Sequence, residues 1–176
     1  MLGKTLSYSD ETDRAYGVAG MAIALMLWDG DDYLDSLSID SPVGAALHLT
    51  PAFGFNGNPR LMASLAWRQH LRQLELTSAM IMGNAICRAY IHRSNPLTAD
   101  ASRSLRDIIR NEGRETCTLD EDEADMLYNK TQRYLDRVFT HSAVATLAHN
   151  LADSLCRQRQ LSASQVFDIL RDLNRL

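Results

Sequence analysis

The side chains able to do chemistry in this chain are five histidines, three cysteines and twenty-two carboxylates. What matters is whether any spacing brings them together. His149 and Asp153 stand one helical turn apart, so on a helix both project from one face within reach of one ligand or metal ion. His141 lies two turns earlier on roughly the same side, but at 1.5 Å of rise per residue it is about 12 Å away, too far for the same metal shell. A structural zinc takes four protein ligands and a catalytic one about three. The pair therefore needs partners from other segments, and the bland alternative is a surface pair in which Asp153 engages Arg157.

Other clusters lead to weaker chemistry. Asp29, Asp31, Asp32 and Asp35 have the oxygen density of a calcium loop, which requires alternating ligands, a glycine sixth and a glutamate twelfth. Counted from Asp29, Leu34 stands sixth and Asp40 twelfth, so the pattern fails and an acidic helix-terminating turn is expected. The acids of 120–125 fit the positive end of a helix dipole better than a cation. Cys87, Cys117 and Cys156 are odd in number and none lies within four residues of another, which argues against a disulfide framework or a paired-cysteine zinc site. Cys117 precedes a helix start that could lower a thiol pKa, but the acids around it oppose that shift. The chain has no Gly-x-Ser-x-Gly elbow, phosphate-cradling glycine loop or His-Glu-x-x-His. No catalytic residue, cofactor or metal is expected, with His149 and Asp153 the weak exception for a metal.

The elements that must position these groups are helices. Period-2 patterning is nearly absent, and the reading is all-α: a single-domain bundle of five to six helices over 1–176, with residues 1–8 loose. The first helix is expected over Asp10–Trp28 with Ser9 as its cap, followed by a short extra turn over Tyr33–Leu37 and a short helix near Gly44–Leu49. The second starts near Pro59 and reaches about Arg93. Its part from Leu76 to Ile91 is apolar almost all round, which makes it the central, surrounded element. Gly83 in its middle costs about 1 kcal/mol of helix propensity, so another helix is expected to cross close there.

Three further starts are legible. Thr98 or Asp100 opens a helix that ends at Gly113. Thr118 and Glu121 read as a capping box for a helix whose apolar face shifts after Val138, so a kink or break is expected near Thr140–Ser142. Ser162 and Gln165 form another capping box, with Leu161 and Val166 as its hydrophobic staple.

Between the first two long helices, the connection 38–59 is unusual. It holds three of the four prolines, and it carries Val43, Leu47, Leu49, Phe53 and Phe55. Connections of that length are often functional, and apolar ones must be buried somewhere. Phe53 and Phe55 are candidate ligand- or partner-binding residues, with His48 the nearest titratable group. The alternative is a lid over the bundle's own core.

Composition bounds the function. A net charge of −4 and a pI near 5.7 argue against a nucleic-acid binder, which needs a basic stripe. The apolar run 17–28 follows acids instead of a basic leader and is well short of the ~20 residues of a membrane span. The sequence thus points to a cytoplasmic, non-catalytic protein that works through helix-mediated contacts, most simply as a homodimer, with no membrane or nucleic-acid partner. A helical enzyme or small-ligand binder with a pocket near His48, Phe53 and Phe55, or near His149 and Asp153, is the rival.

Overall fold

The computed structural model describes residues 7–42, 44–54 and 63–173. The described residues form an all-α bundle of six α-helices with one small sheet.

Helix α1 (Glu11–Leu27) starts at Asp10, whose carboxylate accepts the Asp13 amide at 2.7 Å. The cap is thus one residue later than the expected Ser9. From Ala15 to Leu25 every residue but Met21 is buried, so α1 has no solvent face over that stretch. Helix α2 (Ala63–Cys87) is buried at nearly every position from Leu76 onward. The bundle therefore has two central helices. They cross at two glycines. A Cβ placed on Gly83 would stand 2.5 Å from the Gly20 carbonyl oxygen and 2.6 Å from the Ala24 Cβ, so only bare backbone permits the approach. The crossing expected from Gly83 is there, and Gly20 on α1 is its partner.

The expected start of α2 near Pro59, and Phe55, lie outside the described residues, as do six of the eight residues expected to be loose at the N-terminus. Ser7 and Tyr8 are described, and both contact Arg88. At its other end α2 continues into a single π turn, Arg88–His92.

Two expected helical pieces are strands. Strand β1 (Leu34–Ser38) pairs antiparallel with β2 (Leu47–Leu49) on one side and with β3 (Gln160–Ser162) on the other. Leu37 lies opposite both Leu47 and Leu161, and both Leu37 and Leu161 are fully buried. Strands of three to five residues are too short to show alternation, and β1 is irregular between Leu34 and Ser36. Residues 46–49 of the 38–59 connection are thereby tied to β1.

Helix α3 (Ala99–Cys117) is capped by Thr98, which accepts the Ala101 amide at 3.2 Å. It runs past Gly113 to Thr118, which takes the left-handed conformation at φ 56°. Gly113 serves close packing instead of termination: a Cβ there would lie 3.3 Å from Leu119 and 3.6 Å from Leu74. Helix α4 (Glu121–Phe139) has its capping box at Asp120 and Glu123, two residues beyond the expected pair. The chain breaks at Thr140, and His141 caps α5 (Ser142–Gln158), where the shift of the apolar face placed the break. Ser162 and Gln165 form the expected box at the start of α6 (Ala163–Ile169). Among the described residues no helix is long and apolar enough to cross a membrane.

Candidate functional site

His149, on α5, is exposed, and its Nδ1 lies 2.6 Å from the Tyr16 hydroxyl of α1. Burial, and then the charge of Asp153, push the Tyr16 pKa up. Tyr16 thus keeps its proton at neutral pH and shares a hydrogen bond with Nδ1. The Tyr16 ring stacks on His92 of the π turn, with centroids 4.7 Å apart, and meets His149 edge-on at 5.5 Å. One tyrosine therefore gathers two histidines from separate elements, a junction that the spacing of His149 and Asp153 does not reveal. Beside it is an open hollow of about 560 Å³ lined by Tyr90, Phe139, Thr140, Ala145 and His149. Among the described residues no three His, Cys, Asp or Glu side chains are placed to hold a metal ion.

Several of the acids and thiols singled out by spacing are engaged elsewhere. Asp125 accepts two 2.7 Å hydrogen bonds from Arg110, a bidentate pair joining α4 to α3. Cys87 is fully buried and Cys156 half-buried, and burial raises the pKa of both thiols, so both stay protonated and poorly nucleophilic at neutral pH. Cys117 is buried at the C-terminal end of α3.

A group that spacing does not single out is the buried cluster around Asp13. Its carboxylate accepts from Arg88 Nη2 at 2.6 Å and Nε at 3.0 Å, and from the half-exposed Arg93 at 2.8 Å. Burial opposes the charge on Asp13, but the hydrogen bonds of Arg88 and the Ser9 amide outweigh it, helped by the charges of Arg88 and Arg93. The pKa falls to about 2. Arg88 also donates to the Ser7 carbonyl and lies under the Tyr8 ring, so the cluster fastens the segment before α1 to the end of α2. The adjoining cleft of about 820 Å³ is lined by Tyr8, Arg88, Arg93 and Thr98. The asymmetric arrangement, one carboxylate between two guanidiniums, is an architectural clamp.

Within the 38–59 connection, His48 is exposed on β2 and shares a 2.9 Å hydrogen bond with Ser41. Phe53 is half-buried, meets the Tyr33 ring edge-on at 5.5 Å, and its carbonyl accepts from Gln73. It packs inward against the bundle. His48 and Phe53 do not come together with the Tyr16 junction.

The large apolar side chains left most exposed, among the described residues, are Leu65, Trp67 and Met126. Two of them, Trp67 and Met126, line one groove of about 770 Å³ between α2 and α4, with Leu71, Leu119, Leu127 and Tyr134. Met126 is 71% exposed and Trp67 47%. Both main rings are held in place. The Trp67 indole N–H donates to the Cys117 carbonyl at 3.2 Å, and Tyr134 meets Trp28 edge-on at 5.1 Å. The rim carries Glu75 and Glu123 on one side of the charge balance, and Lys130, Arg133 and Arg137 on the other. On α4 these residues recur every three or four positions, or multiples of that, the spacing of one helical face. Sequence hides this face because Met126 and Leu127 are only two apolar residues on a helix that buries a different stripe: Ala124, Tyr128, Thr131 and Leu135.

No protein-family model matches this chain, and no curated protein or solved structure does.

Proposed function

We propose that this chain is a non-catalytic helical association protein that acts as a homodimer, through the open apolar groove between α2 and α4. The observation that carries the reading is a 71%-exposed methionine beside a 47%-exposed tryptophan whose indole N–H is already bonded. A pre-positioned aromatic anchor flanked by charged residues has the composition of a protein contact, and two-fold dimers are the commonest oligomers. Phe53 turns into its own bundle, so the α2–α4 face carries the proposal in place of the 38–59 connection.

The rival, a helical enzyme or small-ligand binder, draws on the hydrogen bond between Tyr16 and His149. That pair lies at the edge of an open hollow without a converging group of charged partners, which gives a substrate little enclosure.

Light scattering tests the reading. The wild type should run at twice 19.7 kDa, and Met126→Glu with Trp67→Ser should run as a single chain with an unchanged helical spectrum. A monomeric wild type, or a double variant that remains dimeric, would reject it.

A further inference from the structure

The outward face of α4 is polar in opposite senses at its two ends. Toward the N-terminus stand Glu123 on the groove and, at the cap of the helix, the exposed Asp120; toward the C-terminus stand Lys130, Arg133 and Arg137, with Met126 and Leu127 between them. Glu121 belongs elsewhere, since it faces Arg110 and Arg114 of α3. A helix with acid at one end, base at the other and apolar residues in the middle complements itself when a second copy runs antiparallel.

Resting on the association reading above, we infer that two copies dock α4 against α4 antiparallel, about a two-fold axis between Met126 and Leu127. With the axis there, the stripe from Leu119 to Tyr134 finds matched partners. Glu123 lies opposite Lys130 of the second copy, and Asp120 opposite Arg133. Leu119 meets Tyr134, and the Met126–Leu127 pair meets itself. Arg137 of the second copy falls near Cys117, whose carbonyl holds Trp67, so its guanidinium reaches the exposed indole face, a favourable cation–π arrangement. Two-fold symmetry repeats each contact.

Other registers are worse. A slip that brings Glu123 opposite Arg133 sets Met126 against Lys130, burying a charge on an apolar group. A further slip that brings Glu123 opposite Arg137 sets Lys130 against itself. A parallel pairing aligns acid with acid and base with base along the whole face. Like charges across an interface are the main means by which wrong registers are rejected.

Charge reversal tests the register. Glu123→Lys alone sets two ammonium groups against each other, the introduced one and that of Lys130. Lys130→Glu alone sets two carboxylates against each other, the introduced one and that of Glu123. Each clash occurs twice per dimer, so each single variant should weaken dimerisation by about tenfold or more. When the two variants are mixed in equal amounts, a heterodimer pairs the introduced lysine with the introduced glutamate at one contact. Its other contact is the native Glu123 with the native Lys130, so dimer should return to near wild-type level. Glu123 also closes the α4 capping box, so melting curves and helical spectra are recorded on both variants. A second measurement leaves the cap untouched: Met126→Cys should cross-link to a double-length chain under mild oxidation. Cys156, half-buried on α5, should not do so in the parent.

The outcomes separate the two readings. Failure of the mixture to recover dimer, or no cross-link in the Met126→Cys variant, while Met126→Glu with Trp67→Ser still abolishes the dimer, overturns this register and leaves the association face standing. A wild type that is monomeric at all concentrations overturns both.

Discussion

Asp13 is a fully buried carboxylate compensated by two guanidiniums. Removing one member of a buried ion pair strands the others, at a typical cost of about 3–5 kcal/mol. Asp13→Asn should therefore lower the melting temperature by roughly 6–20 °C for a chain of this size. Arg93→Ala, on the half-exposed partner, should cost no more than about 1 kcal/mol. The same carboxylate sets an acid limb. Its pKa is near 4 in an unfolded chain and about 2 in the fold, so the unfolded state binds protons more readily. The stabilisation is complete above about pH 4 and disappears as the pH falls through about 2, amounting to roughly 2 kcal/mol. Acid titration of stability should show this loss in the wild type, and Asp13→Asn should lack it.

At the scale of elements, the crossing of α1 and α2 sets the sharpest requirement. Gly83→Ala improves helix propensity by about 1 kcal/mol, yet its methyl meets the Gly20 carbonyl and Ala24. Overpacking of this kind costs about 1–3 kcal/mol, and against the backbone of a second helix the upper end applies, so the net change should be destabilising. Thermal melting of Gly83→Ala beside an exposed control such as Gly54→Ala, whose added Cβ meets nothing closer than 3.5 Å, checks the sign. Features of this kind were legible in the chain itself: a glycine in an apolar helix announces a close neighbour, and the Ser162–Gln165 box and the break before Ser142 follow from local chemistry. What stayed hidden depends on distant partners. Strand β1 is the centre of its sheet because Gln160–Ser162 comes back from far along the chain to pair with the edge that β2 leaves open. The junction of Tyr16 with His92 and His149 needs three elements to meet. The exposed groove needs knowledge of which stripe of α4 faces inward, and two overlapping stripes read alike in sequence.

For the molecule as a whole, the association reading makes thermal stability depend on concentration, since a partner that binds only the folded chain stabilises it by mass action. The melting temperature of the wild type should rise as protein concentration increases, while that of Met126→Glu with Trp67→Ser should stay constant. Calorimetry over a hundredfold range of concentration would read the difference. The burial of α1 has a consequence of another kind, for synthesis. An element with no solvent face from Ala15 to Leu25, Met21 aside, is synthesised before the helices that cover it in the fold. Its main partner α2 is complete only at Cys87 and α5 only at Gln158, and at cellular elongation rates of about 5–20 residues per second that interval lasts seconds. Until then this apolar stretch lacks the partners that bury it in the fold, which makes it a client for whatever shields emerging segments in the cell.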